Sequence, residues 1–187
     1  AADLNFSWYS AGKGTPAVKV WKDGSKSSAK VVTGNAESIS AENWQGKSYS
    51  AANKVNIADY FEENTQYHYQ YTDNYTGDDS VWSAEYDYTT KATDKFSVIL
   101  TGDPQVGASG SSSDKSANDA SVARDAYNWN KTMQQALKTC PDASFLLSAG
   151  DQINQSGAAK DDDKKTRESE YAGYLYPSVF RSLPIAA

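Results

Sequence analysis

Several residue types that often carry crosslinks or chemistry are scarce in this sequence. Its single cysteine, Cys140, makes an intrachain disulfide impossible, and we interpret it as a small buried hydrophobic residue. Its single histidine, His68, lies between tyrosines on a predicted strand, which favours a surface or packing role. No run approaches the ~20 apolar residues of a membrane span. A formal net charge of −6 disfavours nucleic acid as the main partner. The composition therefore predicts a soluble protein.

The first half of the chain alternates apolar and polar residues with a period of two, which is typical of half-buried strands. The apolar positions are Leu4, Phe6 and Trp8, then Val18 and Val20, Val55 and Ile57, Tyr67 to Tyr71, and Trp82 to Tyr88. Residues 30–33 are predicted as a further strand and 34–46 as a loop. Short strands separated by turn signals predict a β-sandwich. Tyr67, entering a late strand, resembles the corner tyrosine of fibronectin type III domains.

A polar stretch around residues 89–95 is the predicted domain boundary, which gives domains 1–92 and 93–187. Beyond it, buried strands and an amphipathic helix alternate, as in a βαβ crossover, so we expect a parallel sheet. The predicted elements are strand 96–101, loop 107–121, helix 122–137 capped by Asp119 or Ser121, strand 143–149, charged loop 161–165 and helix 167–175. Residues 183–187 resemble the entry into another strand, so we expect the natural chain to continue.

Both buried strands end in Gly-Asp, at Gly102-Asp103-Pro104-Gln105 and Gly150-Asp151-Gln152-Ile153-Asn154. Pro104 is expected to hold Asp103 extended. Open α/β sheets bind ligands at the carboxyl ends of their strands, so Asp103 and Asp151 should lie close together. Two close carboxylates repel unless a cation lies between them, and Gln105 and Asn154 add neutral oxygen ligands. The pattern predicts a divalent metal site, although each Gly-Asp alone is also typical of a plain turn.

These two motifs resemble the first two motifs of the calcineurin-like metallophosphoesterases. With a fibronectin III-like domain in front, the arrangement is similar to purple acid phosphatases and their bacterial relatives. The resemblance implies a β-sandwich followed by the N-terminal half of an α/β metallophosphoesterase domain. It also implies a metal-dependent hydrolase of phosphate esters, whose hydroxide nucleophile is activated by two metal ions drawn from iron, zinc or manganese.

The resemblance assigns metal ligation to Asp103, Gln105, Asp151 and Asn154, with Asp151 bridging both ions. Gln105 stands where many members have a histidine, and Asn154 stands where purple acid phosphatases have an iron-binding tyrosine. An iron–tyrosinate centre is therefore not expected. The catalytic histidines belong to later motifs expected beyond Ala187, so no catalytic residue is assigned, and the 187 residues alone are expected to be inactive.

Two functional hypotheses remain open at this point. The first is the phosphoesterase, acting on phosphate esters and partnered by the C-terminal half of its own chain. The second is a non-catalytic extracellular module whose tyrosine-rich strands bind glycans or proteins. For either, we expect a bacterial extracellular, cell-surface or periplasmic protein whose signal peptide has been removed, because the chain begins Ala1-Ala2-Asp3 and is rich in Tyr, Ser, Thr and Asn.

Overall fold

The structure, a computed structural model, describes residues 3–44, 46–110, 115–154 and 161–186. The chain forms two compact units, one of Ala1–Ile39 with Tyr49–Phe96 and one of Ser40–Ser48 with Ser97–Ala187. The strands are β1 (Leu4–Ser10), β2 (Ala17–Lys22), β3 (Lys30–Thr33), β4 (Asn35–Trp44), β5 (Lys47–Ile57), β6 (Gln66–Thr72), β7 (Tyr86–Thr89), β8 (Ser97–Thr101), β9 (Ala143–Ser148) and β10 (Ile185–Ala186). The helices are α1 (Lys115–Thr139) and α2 (Asp161–Tyr174). No helix in these described ranges is both long and apolar enough to span a membrane.

Two antiparallel sheets enclose the core of the first unit. Their strand orders are β1-β5-β4 and β3-β2-β6-β7. Both sheets contribute to one hydrophobic cluster, which includes Val18, Val20, Val55, Ile57, Phe61, Tyr67 and Tyr69. The predicted period-two strands are thus confirmed as two sheets that share a core, because the alternating apolar side chains of each sheet point toward the other.

Tyr67 makes a corner contact at the start of β6. Its side chain is 2% exposed, and its hydroxyl accepts the backbone N–H of Glu62 at 2.9 Å. The same hydroxyl donates to the carbonyl of Tyr60 at 3.5 Å. This phenol therefore ties β6 to the backbone a few residues upstream, as a corner tyrosine does.

The prediction of a loop over residues 34–46 is wrong, because Asn35–Trp44 forms β4 at the edge of the first sheet. Its sequence is mostly small and polar, as edge strands often are, and so lacks the apolar alternation that reveals a strand. Gly34 marks the crossing from β3 in one sheet to β4 in the other. A Cβ there would overlap the carbonyl oxygen of Lys54 on β5, so only glycine allows this approach.

The second unit contains a parallel sheet of order β10-β9-β8. Because α1 connects β8 to β9, the predicted βαβ crossover is confirmed. The buried side of α1 carries Val122, Ala126, Trp129 and Met133, at the predicted helical spacing. The rings of Trp129 and Tyr174 stack at 5.7 Å, and the Trp129 indole N–H donates to the Tyr174 carbonyl at 3.0 Å.

Three predicted element boundaries are wrong. Helix α1 begins at Lys115, within the predicted loop 107–121, so neither Asp119 nor Ser121 is its N-cap; the part of that loop at 111–114 lies outside the described residues. Helix α2 begins at Asp161, in the predicted charged loop. Strand β7 begins at Tyr86 instead of Trp82. Ser, Asp and Lys fit either a solvated loop or an exposed helical turn, which is why composition misplaced both helix starts.

Candidate metal-binding site

The two Gly-Asp loops run side by side beyond the ends of β8 and β9. The Ala149 N–H donates to the Thr101 carbonyl at 2.7 Å, and the Asp103 N–H donates to the Gly150 carbonyl at 3.2 Å. Further out, the Gln105 N–H donates to the Asp151 carbonyl at 2.9 Å. The parallel pairing of the strands thus continues through both motifs and keeps Asp103 and Asp151 on neighbouring stretches of backbone.

A short stretch of parallel pairing also joins the two loops at their far ends. Val106 and Ile153 form a parallel bridge, and both side chains are buried. The Val106 N–H donates to the Gln152 carbonyl at 3.1 Å, and the Asn154 N–H donates to the Val106 carbonyl at 3.1 Å. The four predicted ligand residues therefore belong to two segments that are fixed to each other at both ends.

Three of these residues have left-handed backbone conformations. The φ angles are 59° at Asp103, 37° at Gln105 and 50° at Asp151. The expectation that Pro104 keeps Asp103 extended is wrong, because tertiary pairing of the loops overrides the local preference. Positive φ is uncommon outside glycine, although Asp tolerates it better than most residues, and such conformations cluster at functional sites.

The side chains of Asp103, Asp151 and Asn154 are exposed, and that of Gln105 is half-buried. The oxygens that these residues offer are two carboxylates and two amide carbonyls, a donor set that suits hard divalent cations. No group of three or more His, Cys, Asp and Glu side chains that could hold a metal ion occurs in residues 3–44, 46–110, 115–154 and 161–186. Metal ligation by these four residues therefore stays a prediction.

Asp125 of α1 holds the loop that follows Gln105, a contact that the sequence did not reveal. Its carboxylate oxygen Oδ2 accepts the backbone N–H of Gly107 at 3.0 Å and that of Ser109 at 3.1 Å. Arg124 adds hydrogen bonds to the carbonyl and hydroxyl of Ser109, at 3.1 and 2.8 Å. Asp125 lies at the margin of the buried side of α1, three residues after Val122, and Arg124 lies on the exposed side. The sequence pattern alone does not distinguish such contacts from exposure to solvent.

Glu170 of α2 packs on the other side of the same loop. Its side chain is 2% exposed, and a Cβ at Gly107 would overlap its carboxylate. Gly107 has a φ of 106°, which a side chain would also oppose. Tyr174, the last residue of the same helix, is also buried, and burial raises the pKa of its phenol although the Ser148 side chain opposes this. Helix α2 thus packs against the loop that follows the first motif.

His68 belongs to the first unit and Cys140 to the second. Both ring nitrogens of His68 contact carboxylates of the first unit, Asp23 and Asp87. Cys140 follows the end of α1 and is half-buried. The packing role expected for His68 agrees with these contacts, whereas Cys140 was expected to be buried and is only half-buried.

The fold and loops together define a class: antiparallel sheets followed by a parallel βαβ unit with acidic loops at its strand ends. A purple acid phosphatase, PPD1 from yellow lupin (Lupinus luteus) seeds, has a similar fold, with a TM-score of 0.60 and 15% sequence identity. The match covers 98% of this chain and 32% of that one, so this chain spans about a third of its length. No protein-family model and no curated protein matches the sequence. At this identity the likeness concerns the fold.

Proposed function

We propose that this chain is part of a metal-dependent phosphoesterase. Its proposed parts are a fibronectin III-like sandwich, residues 1–92, and the first half of a metallophosphoesterase domain, residues 93–187. The observation that carries the proposal is the backbone pairing of the two acidic loops, with the Gln105 N–H 2.9 Å from the Asp151 carbonyl. The fold similarity to a purple acid phosphatase supports it, and the corner contact of Tyr67 supports the first domain's assignment.

In this proposal Asp103 and Asp151 would supply the anionic ligands for two cations, and Gln105 and Asn154 would contribute amide oxygens. Two such ions, drawn from iron, zinc or manganese, would supply the Lewis-acid chemistry for phosphate ester hydrolysis near neutral pH. The chain's own residues hold the ligands in place: loop pairing fixes the backbone at Asp103 and Asp151, and Asp125 fixes the loop beyond Gln105.

The parallel sheet has apolar side chains on an uncovered face. Leu100 is 66% exposed, Leu147 is 40% exposed and Val98 is 37% exposed. Parallel sheets are normally covered on both faces. This surface supports the proposal that the α/β domain has further elements outside this sequence, from which the histidine ligands and the acid for the leaving group would come.

Calorimetric titration of Mn²⁺ and Zn²⁺ into the 187-residue chain tests the proposed ligands. We expect weak binding that is lost in Asp103→Asn and in Asp151→Asn, because each change removes one of only two carboxylates. Asp78→Asn is the matched control, since it removes an exposed carboxylate from a turn in the other unit. Equal binding by all four proteins would exclude Asp103 and Asp151 as ligands.

Activity distinguishes the proposed half-site from a complete one. We expect no hydrolysis of 4-nitrophenyl phosphate by this chain with either metal, and turnover by a longer natural chain that includes the following residues. Hydrolysis by the 187 residues alone, abolished by Asp151→Asn, would contradict the proposal that further ligands are needed.

A further inference from the structure

His68 lies on β6 between carboxylates that contact both of its ring nitrogens. Nδ1 is 2.7 Å from the Asp87 carboxylate, and Nε2 is 3.0 Å from the Asp23 carboxylate. Glu85 adds a third carboxylate, 3.4 Å from Nδ1. Asp87 belongs to β7, and Asp23 follows the end of β2, so the imidazole joins the strands on either side of its own.

The two carboxylate contacts of the His68 ring favour its protonated form. A neutral imidazole has one N–H and one lone pair, whereas the imidazolium has two N–H donors. Carboxylates accept hydrogen bonds and do not donate them when ionised, so a neutral ring would direct its lone pair at one carboxylate. Only the protonated ring satisfies both contacts, and deprotonation replaces one hydrogen bond by repulsion.

The ring is held firmly enough for this change to matter. The His68 side chain is 15% exposed and stacks on Trp21, with ring centroids 5.8 Å apart. Trp21 is 2% exposed and belongs to β2, at the position paired with His68. A ring packed in this way cannot easily turn a nitrogen to water when it loses its proton.

The charged groups on this side of the sheet come from every neighbouring element. Asp23, Glu85 and Asp87 are the acids. Lys26, in the turn after β2, pairs with Glu85 at 2.7 Å and lies 4.9 Å from the Trp21 ring centroid. Lys19 on β2 instead lies over Trp82, 4.2 Å from the ring centroid. Three acids face the imidazole and Lys26 pairs with only one of them, Glu85, so the local charge favours a bound proton.

We propose that the protonated imidazole of His68 connects the end of β2 to β7 through its hydrogen bonds to Asp23 and Asp87. Loss of the proton breaks one of these two hydrogen bonds. The first unit is thereby held more tightly in mildly acidic surroundings than at alkaline pH. The hydrogen bond to Asp23, followed by that to Asp87, raises the pKa of His68 above its ordinary value, although burial opposes this.

The direction of the pH dependence follows from linkage. Because the pKa is higher in the folded chain, the stabilisation is complete below the unfolded-state pKa, about 6.5. It is lost as pH rises through the higher folded-state pKa. The free energy of unfolding of the first unit should therefore fall across the near-neutral range, and His68→Gln should remove that fall.

NMR measures the protonation of His68 directly, because this is the only histidine in the sequence and its Cε1–H signal is unique. We expect one titration with a midpoint above the ordinary histidine value, shifted downward in Asp23→Asn and in Asp87→Asn. Asp78→Asn, which removes a carboxylate elsewhere in the unit, should leave the midpoint unchanged. A midpoint at or below the ordinary value, or one unaffected by both Asp23→Asn and Asp87→Asn, would overturn the proposal.

Discussion

Gln105 and Asp151 are joined by a backbone hydrogen bond of 2.9 Å, and both residues have left-handed φ angles, 37° and 50°. Neither conformation is favourable for an isolated residue with a side chain. Each loop therefore depends on its pairing with the other. A substitution that loosens one loop should therefore also increase the motion of the other, and this can be measured.

Asp125→Ala should loosen the loop after Gln105. The substitution leaves the N–H groups of Gly107 and Ser109 without their shared acceptor, at a cost of about 1–3 kcal/mol. Hydrogen exchange of these two amides should accelerate, followed by that of Gln105. Asn128→Ala, on an exposed part of the same helix, is the control. Equal protection in both variants would show that Asp125 does not hold the loop.

Repeating patterns predicted much of the fold. Val18, Val20, Tyr67 and Tyr69 have a period of two, and all four are buried in the shared core. Trp129 and Met133 have a helical period, and both are buried under α1. β4 was missed because its residues are mostly small and polar, so its pairing with β5, the next strand along the chain, leaves no apolar alternation in the sequence.

The candidate site, like the fold, could be predicted only in part. Gly-Asp at the ends of two apolar strands predicted that the two acidic loops would be neighbours, because parallel strands end at the same edge. That both strands are buried was wrong, since Val98, Leu100 and Leu147 are exposed. The left-handed backbone of Asp103 could not be predicted, since Pro104 favours the opposite conformation. Asp125 was missed because its role depends on which loop folds against α1. Whether Asp103, Gln105, Asp151 and Asn154 bind metal stays a prediction.

Gly34→Ala should strongly destabilise the first unit. A Cβ at residue 34 would overlap the carbonyl oxygen of Lys54 and lie 2.8 Å from Cγ2 of Val55, so β4 and β5 would have to separate. We expect a loss of about 4 kcal/mol or more, in the range of exceptional substitutions.

Gly12→Ala is the matched control for this prediction, because a Cβ there has nothing within 4 Å and its φ is not left-handed. It should change the free energy of unfolding by less than about 1 kcal/mol. Urea denaturation measures both. Similar stability of the two variants would show that β4 does not pass Lys54 so closely.

The first unit should lose stability at alkaline pH through Tyr88. Burial raises the pKa of its phenol, so the folded chain holds this proton more firmly than the unfolded chain does. The resulting stabilisation is complete below the unfolded-state pKa of about 10 and is lost as pH rises through the folded-state value. Denaturation between pH 9 and 11 should show a smaller loss in Tyr88→Phe, and an unchanged loss would contradict this assignment.

Tyr67→Phe should destabilise the first unit. Tyr67 is almost fully buried, and its hydroxyl accepts the Glu62 backbone N–H at 2.9 Å, so the substitution leaves that N–H without its acceptor. We expect a loss of about 1–2 kcal/mol in the free energy of unfolding. Urea denaturation measures this change, and a stability equal to that of the unsubstituted chain would show that the corner hydrogen bond contributes nothing.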